Sequence, residues 1–334
     1  MFPRLRVLDV AQTVLPEWLE GLGDLQQLET LGVSIESFWL SPDAPEPVQL
    51  PLLAHLTSLE IAIGVGTIIQ MEMAKLPVLS RLTLEGQECR VALTACPPAH
   101  QLRPLTCRME HLSADFAALP GLRSAHFDAR LQLDQPASIA GATALACLGI
   151  RGWRSSGDQR AALQLLQSLP PGVSCVCLTG AWPAEVATLL AKLPRLAALE
   201  LYWRGNGEPP LPPAVAPLWS SLRALSWRFD AKEGLGLPQA LRQASVLETL
   251  HIGAFSMRGA DLNQVSCFPA LRRMKLLQLD SDDYGAGSAA ADARAITRLR
   301  RVVPHVDVWA SDKWLQIEEL VDWALGRNIR ALFE

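Results

Sequence analysis

One pattern of apolar positions repeats from end to end of the chain: an anchor residue, then apolar side chains three and five places later. It reads Leu5-x-x-Leu8-x-Val10, Leu28-x-x-Leu31-x-Val33, Leu56-x-x-Leu59-x-Ile61, Leu79-x-x-Leu82-x-Leu84 and Leu102-x-x-Leu105-x-Cys107. It continues as Leu122-x-x-Ala125-x-Phe127, Leu145-x-x-Leu148-x-Ile150, Val173-x-x-Val176-x-Leu178 and Leu196-x-x-Leu199-x-Leu201. Leu222-x-x-Leu225-x-Trp227, Leu247-x-x-Leu250-x-Ile252, Leu271-x-x-Met274-x-Leu276 and Val303-x-x-Val306-x-Val308 complete the series. Successive anchors lie 20 to 32 residues apart, about 25 on average. A coiled coil would repeat every seven residues instead. Side chains of a strand alternate between its faces, so offsets three and five point to one side and the residues between them to the other. One copy is too short to cover its own apolar ribbon, and stacked copies bury it jointly.

The segments between strands differ along the chain. Early ones, such as the stretch from Leu15 to Leu25, read as short 3₁₀-like turns. Gln159–Leu169, Ala184–Leu193, Leu237–Ala244 and Ala289–Val302 carry apolar residues at helical spacing, and Pro170, Pro194 and Pro304 mark helix stops.

The pattern is similar to that of the leucine-rich-repeat family over nearly the whole chain. The resemblance implies an α/β solenoid, a curved horseshoe with about 13 parallel strands on its concave face and helices and 3₁₀ turns on its convex face. Eight places after the anchor, where the family often has Asn or Cys, this chain has Thr13, Glu36, Gly64, Gln87, Glu110, Arg130 and Trp153. That departure points away from the extracellular receptor type and toward intracellular F-box-associated and ribonuclease-inhibitor-like arrays. The expected organisation is a repeat array over 1–309 and a capping helix over 310–334. In the cap, Trp314–Phe333 would lay Leu315, Leu320, Trp323 and Leu325 over the open end. At the other end Leu5 is already an anchor, so the first repeat calls for a cap from a partner or from an N-terminal domain.

Composition narrows the function classes. Apolar residues make up 49% and charged residues 19% of the 334 positions, enough for a large core. The net charge is -4 and no Lys/Arg block occurs, which argues against a nucleic-acid partner. No apolar run is long enough to span a bilayer. The seven Cys are scattered, and Asn206, Asn263 and Asn328 are not glycosylation acceptors. These features suit a reducing, cytoplasmic setting.

Tempting chemistry has blander explanations. Cys89, Cys96, His100, Cys107 and His111 are the densest ligand-type cluster, but the paired spacings of structural zinc sites are missing and the repeat phase sends Cys107 into the core. Cys175 and Cys177 lie two apart on one strand, facing the concave side as ordinary thiols. Gly64-Val65-Gly66 lacks the rest of a nucleotide-binding turn. Asp280-x-Asp282-Asp283-x-Gly285 has Ala291 where a calcium loop needs its bidentate acid. His55, His100, His111, His126, His251 and His305 sit in no recognisable nucleophile or acid–base motif. No cofactor, metal site or catalytic activity is expected.

Concave residues follow by arithmetic at offsets two, four, six and seven. Early repeats place small groups there, including Gly32, Ser34, Ser58, Ala62, Thr83 and Gly86; from Leu122 onward come His126, Asp128 and Arg151. The C-terminal half places Glu200, Tyr202, Trp203, Arg228, Phe229, His251, Arg273, Lys275 and Trp309 there. Large aromatic and Arg side chains anchor protein interfaces, so a protein or peptide is expected to dock on this set, with Trp203 and Arg228 as main anchors. The competing expectation is that Trp203 and Phe229 fold over the strand edges and pack on neighbouring repeats. The expected function is a non-catalytic protein–protein interaction scaffold, and the alternative is the substrate-recognition part of an F-box-type ubiquitin ligase.

Overall fold

The computed structural model describes residues 4–14, 16–35, 47–97, 100–128, 130–153, 160–203, 216–229, 243–254, 268–278, 297 and 300–309. Every anchor is followed, two residues on, by a strand. These run Val7–Val14, Thr30–Ile35, Ser58–Ile63, Arg81–Gly86, Pro104–Arg108, Ser124–Asp128, Cys147–Trp153, Cys175–Gly180, Ala198–Trp203, Ala224–Phe229, Thr249–Ala254, Arg273–Gln278 and His305–Trp309. They form a sheet of 13 strands in chain order. The chain therefore has the α/β leucine-rich-repeat solenoid fold expected from its repeats. Equivalent repeat positions sit side by side, as in Leu31↔Leu59, Leu59↔Leu82 and Leu82↔Leu105.

Two backbone devices hold the register. In the turn before many strands, N–H groups donate three residues back: Leu76 to Met73 and Leu79 to Leu76, and likewise Leu119 to Phe116 and Leu122 to Leu119. At the strand start, one carbonyl of the preceding repeat accepts two N–H groups: Arg6 O takes Glu29 and Thr30, and Glu29 O takes Thr57 and Ser58. The same double acceptance recurs as far as Glu248 O with Arg272 and Arg273. A slip of one residue would break both devices and turn the Leu ribbon to the wrong face.

Two compact units divide the chain, one comprising 1–152 and 157–173, the other 153–156 and 174–334. In the first unit the return segments hold more than 3₁₀ turns. Val48–Gln49, Ile68–Glu72, Arg90–Thr94, His111–Ala114 and Gln132–Leu133 form a second parallel sheet of five strands. Its inward residues Ile69, Met71, Val91, Leu93 and Leu112 are buried, as are Leu31, Leu59, Leu82 and Leu105 of the long sheet, so the core is a double apolar layer. Each buried Leu or Ile contributes roughly 1.5–3 kcal/mol. The 3₁₀ turns Gly21–Asp24, Met73–Lys75, Phe116–Ala118 and Pro136–Gly141 close the returns, and the Asp115 side chain caps one by accepting Ala117 N–H.

The first return, expected to be a short 3₁₀-like turn, carries an α-helix over Pro16–Glu20 before its 3₁₀ turn, and further helices appear on the later returns. Arg160–Gln167 buries Ala162, Leu165 and Leu166, and Ala184–Leu190 buries Val186, Ala187 and Leu190, both where helical spacing predicts them. Ala216–Ser221 is a further short helix, with Trp219 fully buried. The expected capping helix over 310–334 and the Asp280–Gly287 loop lie outside the described residues, as does most of Leu237–Ala244 and of Ala289–Val302.

Candidate functional site

The two units differ in what their sheet presents on the side away from the Leu ribbon. On the early strands of the first unit burial alternates, while further along Ser124, Cys147 and Gly149 are buried as well. On Ser58–Ile63 the inward Leu59, Ile61 and Ile63 are buried while Glu60 and Ala62 are exposed, and Thr30–Ile35 and Arg81–Gly86 behave alike. In the second unit every residue of Ala198–Trp203 is buried.

Register brings the residues singled out in the C-terminal half together. Tyr202 lies beside Arg228, Trp203 beside Phe229, His251 beside Lys275, and Leu277 beside Trp309. A polar row crosses five strands at one level: Cys177, Glu200, Ser226, His251 and Lys275. Its members are not solvent-facing, contrary to expectation. Glu200 is 5% exposed, His251 3%, Lys275 5%, Tyr202 9% and Trp203 8%. Cys175 and Cys177 are buried too. Part of the reason is legible in the strands themselves: Glu200 and Arg228 apart, the even offsets of CVCLTG, ALELYW and ALSWRF hold Cys, Thr, Ala, Ser and Tyr, groups that suit a buried parallel sheet. Within the row, the Cys177 thiol donates to Glu200 Oε2 at 3.3 Å, and Ser226 Oγ lies 3.3 Å from His251 Nδ1. Arg273 is half-buried, and of Arg228, Phe229 and Trp309 only the backbone placement is described.

Trp203 has a further reason to be inside. Seven is an odd offset like three and five, so the strand directs Trp203 to the same side as Leu199 and Leu201. It packs edge-on against Trp182 of the preceding repeat, ring centroids 4.9 Å apart. The competing expectation of packing on a neighbouring repeat holds for this residue. On the other side of the Trp182 repeat, Gly180, at φ +115°, lies so close to the Trp153 backbone of the preceding strand that a Cβ would collide with it.

One level of the open face of the first unit carries Gly32, Glu60, Thr83 and Thr106 side by side, and further charges stand two residues on. At offset six stand Glu85, Arg108, Asp128 and Arg151 in successive strands; Arg108 pairs with Glu85, and Asp128 with Arg130 at 3.1 Å. Sequence arithmetic reaches every one of these positions, but their sum as a charged row emerges only when the strands are stacked. His126 lies two residues before this row, in register between Thr106 and Gly149, its ring across Gly149 where a Cβ would strike it. Burial, reinforced by the Arg151 and Arg108 guanidiniums, lowers the His126 pKa to about 4, so the ring is neutral at neutral pH.

Of the Cys/His cluster, Cys89, His100 and Cys107 resolve as core, while Cys96 and His111 are half-buried. His100 Nε2 donates to Leu76 O at 2.9 Å and Nδ1 accepts Leu102 N–H at 3.1 Å, which fills both nitrogens with backbone. Burial pushes its pKa down. Cys89 and Cys107 are fully buried, and burial raises the Cys89 thiol to about 11 and the Cys107 thiol further. Among the described residues no group of three or more His, Cys, Asp or Glu is placed to hold a metal ion.

No family model matches the sequence, and no curated protein matches it. Similar solved structures include an internalin from Listeria monocytogenes, at 16% identity and TM-score 0.38, covering 87% of this chain and 78% of that one. An LRR protein of Leptospira interrogans is 15% identical, with TM-score 0.28 and coverages of 92% and 93%. TLR13 in complex with ssRNA13 is 13% identical, with TM-score 0.35, covering 90% of this chain and 58% of that one. Likenesses this distant say nothing of partner or activity; the fold stands on thirteen strands, one per repeat.

Proposed function

We propose that this chain is a non-catalytic scaffold that binds a protein or peptide on the open face of its first unit. The observation that carries this reading is the contrast between the units: the early strands of the first present an in-register row of small residues and Glu60, accessible from solvent, while the second buries the equivalent face. The small Gly32, Thr83 and Thr106 admit an extended chain close to the sheet, and Glu60 with the neighbouring charges selects among chains. A scaffold needs no chemistry of its own, and a Ser–His hydrogen bond among the described residues, Ser226 with His251, is buried.

A second reading keeps the partner on the C-terminal half, at Glu200, Tyr202, Trp203, Arg228, Phe229, His251, Arg273, Lys275 and Trp309. Its support is the register that sets Tyr202 beside Arg228 and His251 beside Lys275. A partner there has to uncover the face first. The ubiquitin-ligase role is the alternative biological setting for either reading. Among the described residues six cysteines carry free thiols, which supports a reducing, cytoplasmic compartment. Among the described residues no helix is long and apolar enough to cross a membrane.

Selection of a displayed random-peptide library on the full chain tests the reading. Enriched peptides that lose binding to the Glu60→Arg/Thr83→Arg variant and keep it with Lys275→Ala place the site on the first unit. The converse pattern places it on the second, and enrichment of no peptide sinks the scaffold reading.

A further inference from the structure

We propose that Arg108, His126 and Arg151 form a carboxylate-binding site that takes an acidic segment of a peptide or protein partner. The proposal rests on the scaffold reading and names the chemistry of its partner. The three residues come from three adjacent strands, Pro104–Arg108, Ser124–Asp128 and Cys147–Trp153, and all occupy even offsets, on the side away from the Leu ribbon. Arg108 and Arg151 therefore flank the His126 strand, roughly 10 Å apart at the backbone, two strand spacings. That span lets two long guanidinium side chains converge on one group above the imidazole.

The existing partners leave room for an anion. Arg108 has one carboxylate, Glu85, and remains exposed. Asp128 stands between the arginines in sequence of strands, but its Oδ1 is taken by the backbone N–H and Nε of Arg130. Arg151 makes no ion pair with any described residue. His126 Nδ1 and Ser124 Oγ, on the same side of one strand, are both closed off with no hydrogen-bond partner among the described residues. The Nδ1 lies over Gly149, so an outside complement meets the rest of the half-buried ring, near the Arg108 and Arg151 guanidiniums whose charge helps to depress its pKa. The complement is a carboxylate, because arginine binds carboxylates in a bidentate fork and a neutral imidazole still offers one N–H. A continuous polyphosphate fits worse: Glu60, Glu85 and Asp128 line the same face and would repel it, whereas a peptide can space its acids between them.

The test uses the full chain and a fluorescein-labelled Gly/Ser peptide carrying spaced glutamates, read by fluorescence anisotropy against the same peptide with lysines and against oligo-uridine RNA. The expected result is that the glutamate peptide binds, weakens with salt, and loses about tenfold in Kd for each of Arg108→Ala and Arg151→Ala, with Arg151→Lys between. Variants are first matched by circular dichroism. Imidazole ¹⁵N signals supply an independent readout: bound carboxylate raises the His126 pKa from about 4, and the double alanine variant abolishes that response. Peptide binding indifferent to both arginines overturns the proposal, and so does tighter binding of the RNA through the same arginines. If the displayed library yields peptides that lack acids and ignore Arg151→Ala, the carboxylate site falls while the scaffold stands; if it yields none, both fall.

Discussion

Gly180→Ala is the substitution whose cost the geometry determines most closely. Gly180 ends its strand at φ +115°, a conformation that L side chains resist at about 1–2 kcal/mol. A Cβ there would also meet the N, Cα and O atoms of Trp153, and backbone cannot swing aside as a side chain can. The strand must move, and with it the 2.9 Å bond from Ala181 N–H to Trp153 O, worth about 1 kcal/mol. The expected total is about 3 kcal/mol. Gly66→Ala is the control, because Gly66 has φ +75° but nothing within 4 Å of the added Cβ, so only the conformational cost of about 1 kcal/mol applies. Because the two glycines lie in different units, hydrogen exchange resolved to single strands is the suitable assay, comparing Cys175–Gly180 with Ile68–Glu72. If Gly180→Ala costs its unit no more than Gly66→Ala costs the other, the close approach of the two repeats is wrong.

Three further outcomes follow from the buried titratable groups. His126 is neutral in the fold with a pKa near 4 against about 6.5 unfolded, so its contribution to stability is complete above pH 6.5 and is lost as pH falls through 4; the loss is about 3 kcal/mol, and a urea midpoint flat over that range would refute it. His100→Ala leaves Leu76 O and Leu102 N–H without their imidazole and costs about 2–4 kcal/mol by urea unfolding, whereas a cost under 1 kcal/mol would mean water replaces the ring. Under native conditions an alkylating reagent modifies the half-buried Cys96 before Cys89 or Cys107; its thiol is itself raised to about 11 by burial and Asp115, so the reaction is slow and speeds up with pH, and mass spectrometry gives the order.

The fold was legible because it is set by periodicity. All thirteen anchors are followed by strands, and residues such as Leu31, Leu59 and Ile61 are buried where offsets three and five put them. The second sheet was missed since its strands are short, and Ile69-x-Met71-x-Met73 or Val91-x-Leu93 carries too few alternations to separate from a turn. The face of the second unit was misread for a different reason. Offset arithmetic says which side a residue points to, not whether that side is covered, and Glu200, His251 and Lys275 look like surface groups until the Cys, Ala and Tyr around them are weighed. Trp203 was an error of parity. His126 was noted, but that Gly149 lies beneath it and that its Nδ1 lacks a partner are facts of stacking, which no single strand contains.

The account turns on one repeat architecture having an open sheet face in its first unit and a closed one in its second. Carbodiimide labelling of carboxylates on the native chain, followed by mass spectrometry, measures that directly. Glu60 and Glu85 should label rapidly while Glu200, 5% exposed and hydrogen-bonded to Cys177, stays protected until the chain unfolds. Labelling of Glu200 at the rate of Glu60 would contradict the account and return the C-terminal face to solvent.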